Sequence, residues 1–319
     1  MEEESVKEIL RINFCDFWNH FNPMDNYFYR LLAMDFRIEI SDDPDFLIYS
    51  CYGEEHLNFD CYKIYYSGEN QKINWNACDI ALGFEESTKL LYRRLPNWIW
   101  YTTEVELKKG RKSITQKELA SKKFCNMVVS NGRAQKRVAF FKKLSNYKQV
   151  DSGGRFLNNV GGPVPNKIDF VKDYKFTMAF ENSMQPGYTT EKLIEPFLAG
   201  SIPIYWGNTE VDKEFNTKAF LNFHDYETEE ELIKEIISLD NNDEEYLKMA
   251  SEPMFKNGIV PDFMKESYLH EFLIDSIREI KDKKPVSQTY RKYIYNIQLL
   301  LRKIDFVLNR ALNYRKHFR

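Results

Sequence analysis

The chain is short of the residues that punctuate, staple or anchor a fold: 13 Gly, 11 Pro and 5 Cys in 319 residues. So little Gly and Pro excludes collagen-like and low-complexity architectures. Cys15, Cys51, Cys61, Cys78 and Cys125 are odd in number and show no Cys-x-x-Cys spacing. That excludes a disulfide framework and suits reduced thiols in a cytoplasmic compartment. The five His (His20, His56, His224, His270 and His317) form no His-x-x-x-His pair, so no structural metal is expected. No run approaches the roughly 20 apolar residues that cross a bilayer. The opening MEEESVKE carries no apolar signal region, so a cytoplasmic protein with at most peripheral membrane contact is expected. With 45 Lys and Arg against 48 Asp and Glu, the formal charge of -3 offers no basic excess for nucleic acid.

What is present is 43% hydrophobic residues in a chain long enough for two cores. Short apolar runs alternate with helical patterns. KEILRINFCDF, FRIEI, DFLIYSCY, CYKIYYSGE and CDIALGF read as strands, and NPMDNYFYRLLAMD reads as a helix capped by Asp25 or Asn26 with Phe28, Leu31 and Leu32 inward. The polar stretch 101–122 reads as a linker. A second series follows, with FCNMVVS, KQVDSGG, KFTMAFE, IPIYWG and AFLNF as strands and RAQKRVAFFKKL, IDFVKDY and EKLIEPFLAG as helices. Two acidic helices, ETEEELIKEIISL and DEEYLKMASEPMF, should pack on the second sheet. The pattern predicts an α/β protein of two Rossmann-like domains facing a cleft, at 1–118 and 119–285, with a separate basic tail at 286–319.

The richest segment is KFTMAFENSMQPGYTTEKLIEPFLAGSIPIYWG. Glu181, Asn182 and Ser183 follow a strand at its carboxyl end, where doubly wound sheets bind ligands. Thr189 or Thr190 can cap the next helix, whose first turn holds Glu191 and Lys192. Free N–H groups, the helix dipole and a Lys there suit a phosphate, with Glu191 placed to accept ribose hydroxyls. Taken alone, the same spacing also fits a capped helix with a solvated Glu and Lys.

FENS, GYTTEK, AGSIPIYWG and the earlier YSGEN closely resemble the α-1,3-fucosyltransferases of glycosyltransferase family 10. The likeness runs in order from about Ile48 to Asp225. It includes SGENQKINWNACDIALGF, YRRLPNW, the Ser130–Asn131–x5–Arg137 stretch and VDSGG. It implies a GT-B fold and inverting transfer of L-fucose from GDP-L-fucose to the 3-hydroxyl of GlcNAc in β-galactosyl-GlcNAc (Lewis x type) acceptors. By the same resemblance Arg137 and Lys192 are the diphosphate cations, Glu191 is the ribose ligand, and Tyr188 and Asn182 are further donor contacts.

No metal is expected to be required. The one Asp-x-Asp, Asp43-Pro44-Asp45, precedes a strand and suits a turn. Arg137, Lys192 and the helix start are left to stabilise the charge on departing GDP. Glu69, after a strand and a tight turn at Gly68, is the expected general base, as in the family's Gly-Glu-Asn motif, with Glu181 the rival. The first-strand loop offers Trp18, His20 and Phe21 as aromatic acceptor contacts, with core packing the alternative.

From Val286 to Arg319 there are eight Lys and Arg against one acid, Asp305. Ile294, Ile297, Leu301, Ile304, Leu308 and Ala311 form a helical seam. Such a basic amphipathic tail packs on the body, self-associates or lies on the inner membrane. Two other functions fit the composition: a carbohydrate-binding protein that has lost transfer, and a GT-B enzyme using another nucleotide sugar. The four charged residues Glu69, Arg137, Glu191 and Lys192 argue against the pure binder.

Overall fold

The computed structural model describes residues 7–316, with the side chains of 104–105 and 310–316 left aside. Eleven named strands lie in two wholly parallel sheets. In chain order the elements are β1 (Ile9–Cys15), α1 (Tyr27–Leu32), β2 (Arg37–Ile40), β3 (Phe46–Tyr49), β4 (Tyr62–Tyr66), β5 (Ile80–Gly83) and β6 (Tyr92–Arg94). Then come α2 (Glu104–Lys109), α3 (Gln116–Ala120), β7 (Lys123–Met127), α4 (Gln135–Ser145), β8 (Val150–Ser152), α5 (Lys167–Val171) and β9 (Tyr174–Phe180). The chain closes with α6 (Glu191–Ala199), β10 (Ile202–Trp206), β11 (Leu221–Asn222), α7 (Glu229–Asp240), α8 (Asp243–Ser251), α9 (Glu266–Ile280) and α10 (Tyr290–Lys316).

Two compact units result. The first holds residues 1–83, 87–94 and 266–319, and the second holds 84–86 and 95–265. Its boundaries differ from the contiguous division expected from the sequence. Residues 95–118 join the second unit because Trp98 is fully buried there against Phe215, Phe255 and Phe263. The expected linker contains two short helices, each started by a capping box, Thr103 with Glu106 and Thr115 with Glu118. Helix α9 returns to the first unit, burying Leu269, Phe272, Leu273 and Ile277.

The first sheet runs β2-β1-β3-β4-β5-β6 and the second, from its far edge, β8-β7-β9-β10-β11. Both therefore share one winding, in which the first strand of the unit lies between its second and third. Ligands of such sheets sit outside the carboxyl ends where the order reverses, between β1 and β3 in one unit and β7 and β9 in the other. Fully buried strands such as β3 and β5 are continuous apolar runs, as parallel sheets covered on both faces require. The core of the second unit joins Met127, Phe176 and Ile204 of the sheet to Phe140 of α4, Ile236 of α7 and Tyr246 of α8.

Helix α10 packs on the first unit through one face. His56 Nε2 lies 3.1 Å from the Tyr295 hydroxyl, Asn74 donates to Gln298 at 2.7 Å, and Lys303 pairs with Glu54 at 2.7 Å. Of the seam residues, Ile294, Ile297, Leu301, Ile304 and Leu308 are exposed rather than packed on the body, while Ala311 lies outside the described side chains. The face that packs is the polar one. Among the described residues, no helix is long and apolar enough to cross a membrane.

Candidate functional site

In the second unit the chain leaves the switch point twice, after β7 toward Arg137 and after β9 into Glu181 and Asn182. The Arg137 guanidinium is 1% exposed and is held by main-chain and amide oxygens. Nε and Nη2 donate to Phe180 O at 3.1 and 2.7 Å, Nη1 to Asn131 O at 3.2 Å, and Nη2 also to Asn182 Oδ1 at 2.9 Å. Burial lowers its pKa, and the charges of Glu181 and Glu191 oppose that shift. Among the described residues no carboxylate lies within 4.0 Å of it, and Glu181 and Glu191 act on its charge from farther away.

The segment from β9 to α6 is folded by two close approaches. Gly187, at φ 78°, lies so near Phe84 O that a Cβ would sit 2.3 Å away, and its N–H donates to Asn208 Oδ1 at 2.7 Å. At Gly207 a Cβ would come within 2.4 Å of Glu181 Cγ, so this glycine makes room for the carboxylate. Thr190, not Thr189, is the cap, accepting from Lys192 N–H at 3.5 Å.

Glu181 is wholly buried and accepts from the Thr190 N–H at 2.8 Å and from the Thr190 hydroxyl at 2.8 and 3.0 Å. Lys192 Nζ lies 2.9 Å from Thr190 Oγ1, 3.2 Å from Glu191 Oε1 and 3.3 Å from Glu181 Oε2. Burial alone would lower the Lys192 pKa, but Glu181 and Glu191 outweigh it and raise the value, so the ammonium stays charged. Burial raises the Glu181 pKa against the pull of Lys192. For Glu191 burial pushes up, and Lys192 with Lys167 brings the value below the usual range.

Lys167, at the start of α5, was not legible as a site residue. It lies 3.9 Å from Glu191 and pairs closely with Glu195. Tyr188 is buried with its ring edge-on to Phe84 at 5.1 Å, whereas Asn182 is exposed beside Arg137. The structure thus gathers Arg137, Glu181, Asn182, Glu191 and Lys192 at one end of one sheet.

The first unit carries the remaining candidates. Glu69 follows β4 in a loop tied by Ser67, whose hydroxyl reaches the carbonyls of Glu69 and Gln71 at 2.9 Å. The chain bends just after Gly68, at Glu69 and Asn70, without a left-handed backbone at the glycine. Its role is close approach, since a Cβ would stand 3.0 Å from Ser50 Oγ and Tyr52 Cε2. The half-buried Glu69 carboxylate accepts from the Tyr52 hydroxyl at 3.4 Å, and that hydroxyl also donates to Gly68 O at 3.1 Å. Tyr52 was missed because nothing local links it to a residue 17 positions away.

Tyr52 meets Trp18 edge-on at 6.2 Å, at the carboxyl ends of β1 and β3. Trp18 is 36% exposed, whereas Phe21 stacks on Phe17 at 3.9 Å and belongs to an aromatic cluster. His20 is exposed, with φ 70°. The loop is fixed by buried Asp16, which accepts from Glu55 N at 2.9 Å and His56 N at 3.0 Å and meets His56 Nδ1 at 2.5 Å. Asp43 and Asp45 precede β3, and Asp45 pairs with Arg11 at 3.0 Å. Among the described residues no group of three or more His, Cys, Asp or Glu is arranged to hold a metal.

Residues 12–101 match the alpha-(1,3)-fucosyltransferase FucT N-terminal domain. Relatives include an alpha-(1,3)-fucosyltransferase, FucT, of Helicobacter pylori, 33% identical over 222 residues covering 60% of this chain and 46% of that protein. A 3-galactosyl-N-acetylglucosaminide 4-alpha-L-fucosyltransferase of Bos taurus is 35% identical over 40% of this chain and 36% of its own length. The chain thus spans under half the length of these curated relatives. A crystal structure of an alpha1,3-fucosyltransferase with GDP superposes with a TM-score of 0.72 at 25% identity, covering 90% of this chain and 94% of that one. The fold is GT-B, as the resemblance implied. Residues 118–292, more than half of the chain and the whole of the Arg137–Lys192 group, match glycosyltransferase family 10 (fucosyltransferase), C-terminal part, and the chain belongs to that family.

Proposed function

We propose that this chain transfers L-fucose from GDP-L-fucose, with inversion, to the 3-hydroxyl of GlcNAc in β-galactosyl-GlcNAc acceptors of Lewis x type. The observation that carries this is the pair of cations at the end of β9. Arg137 is buried against oxygens that do not neutralise it, and Lys192 stands in the first turn of α6. Both suit a diphosphate, and the α6 N-terminus adds N–H groups and a partial positive charge. Glu191 binds the ribose hydroxyls, and Tyr188 and Asn182 complete the donor contacts.

In this reading Glu69 takes the proton of the acceptor hydroxyl as that oxygen attacks the anomeric carbon, and GDP departs with its charge held by Arg137 and Lys192. No metal is needed, because those two cations and the α6 start carry the charge a divalent ion would otherwise neutralise. Trp18 and Tyr52, with His20 and Phe21 beside them, offer ring faces to the acceptor sugar. The protein is cytoplasmic, with peripheral contact at the inner membrane through the exposed apolar residues of α10. Loss of sedimentation with anionic vesicles on truncating α10 tests that contact.

The deciding assay is turnover of GDP-fucose on N-acetyllactosamine in EDTA, with product linkage read by NMR. An α-1,3 product formed at full rate in EDTA is expected. Absence of transfer, an α-1,4 product, or a rate restored only by manganese or magnesium would each contradict the part it addresses.

A further inference from the structure

The donor group is electrically balanced before any ligand arrives. Arg137, Lys167 and Lys192 stand among Glu181, Glu191 and Glu195. A nucleotide-sugar diphosphate adds two negative charges to this largely buried set, and buried charge without compensation is strongly disfavoured.

An ammonium has three N–H bonds, and those of Lys192 already face three acceptors: Thr190 Oγ1, Glu191 Oε1 and Glu181 Oε2. It can reach a phosphate oxygen only by giving one up. Glu191 is partly exposed and has Lys167 as a second cation at 3.9 Å. Glu181 has no exposure, and among the described residues Lys192 is the one cation within 4.0 Å of it. Nor can Glu181 readily follow the lysine, since the Thr190 N–H and hydroxyl hold both of its oxygens.

Resting on the donor reading above, we propose that Glu181 is a positioning residue that holds Lys192 before the donor binds and takes up a proton when the donor diphosphate draws Lys192 away. The proton comes from solvent and settles on Oε2. From there it is donated to Thr190 Oγ1, already 2.8 Å distant, while Oε1 keeps the Thr190 N–H. Every group facing Glu181 is compatible with this exchange. On α6 these are Thr190, Glu191 and Lys192, on α4 the Arg137 guanidinium, and on β10 the Tyr205 hydroxyl. Burial already favours the protonated carboxyl, Lys192 opposes it, and withdrawal of Lys192 toward an adjacent anion moves the balance further the same way.

The sign of the linkage follows. Donor affinity is greatest where Glu181 is protonated with and without ligand. It falls as pH rises through the interval between its two proton affinities, by up to about tenfold per pH unit for a single proton. The test is calorimetry of GDP-fucose binding, without acceptor, in buffers of different ionisation enthalpy at fixed pH, repeated across the pH range. The diphosphate diester does not titrate there, so any proton taken up belongs to the protein. We expect an uptake approaching about one proton per donor, abolished in Glu181→Gln, whose affinity is then independent of pH. Equal heats in all buffers for the wild type, at every pH, overturn the proposal and leave the donor assignment standing, as does an uptake unchanged in Glu181→Gln. The wild-type series decides even if the variant does not fold. Absence of any GDP-fucose binding overturns the donor reading itself, and the proposal with it.

Discussion

Two strands of this protein each deliver a glutamate beyond their carboxyl ends, and the surroundings of the two are opposite. Glu69, after β4, is half-buried beside an exposed Tyr52, which in turn meets Trp18 edge-on. Glu181, after β9, is wholly buried with both oxygens occupied by Thr190 and a lysine 3.3 Å away. Position along a strand makes both candidates for the base, Glu69 the first and Glu181 its rival; environment separates them. A base must reach the substrate proton and then lose it again, which requires access. A carboxylate enclosed by donors is suited to holding its neighbours in place.

The largest effect should come from Glu69→Gln, which keeps size and hydrogen bonding but cannot accept the proton. A loss in kcat of about 10² to 10⁴ is expected, with GDP affinity by calorimetry little changed. Next, Lys192→Ala removes a charged contact and strands Glu181 without a cation. GDP binding should weaken by about 1.5–3 kcal/mol, and an unchanged affinity would remove Lys192 from the donor site. Gly207→Ala drives a methyl into Glu181. A loss of about 1–3 kcal/mol in unfolding free energy is expected by denaturant titration, and a variant as stable as wild type would show that the Glu181 pocket yields freely. The smallest effect is that of Tyr52→Phe, which deletes the hydroxyl shared between Glu69 Oε1 and Gly68 O. It should lower kcat/KM by about 0.5–1.5 kcal/mol and leave GDP affinity alone; a change in GDP affinity would mean that Tyr52 serves the donor instead.

Local sequence pattern discloses some of these elements and hides others. The parallel strands β1 to β5 and β7 to β11 were legible as short runs bounded by turn residues. The three-residue β6, holding Arg93 and Arg94, was too short and too basic to read as a strand. α2 and α3 lay in a polar stretch taken for a linker, although each Thr-x-x-Glu capping box was there to be seen. α9 and the residues around Trp98 fall in the other compact unit from the one expected, for a different reason. An apolar face announces that it will be buried, but not against which sheet. At the site, Glu181, Asn182, Glu191 and Lys192 were legible because one strand, one turn and one helix start carry them all. The Arg137 cradle, the Tyr52–Glu69 contact and Lys167 depend on pairings across 17 or more residues, which local pattern does not encode.

The division of labour between the two glutamates is tested most directly by kcat of Glu181→Gln, measured beside Glu69→Gln at saturating GDP-fucose and acceptor. With Lys192 kept charged and the donor saturating, Glu181→Gln should turn over within about tenfold of wild type, while Glu69→Gln falls by about 10² or more. If instead Glu181→Gln loses turnover as severely as Glu69→Gln, or Glu69→Gln keeps the wild-type rate, the base has been placed on the wrong strand.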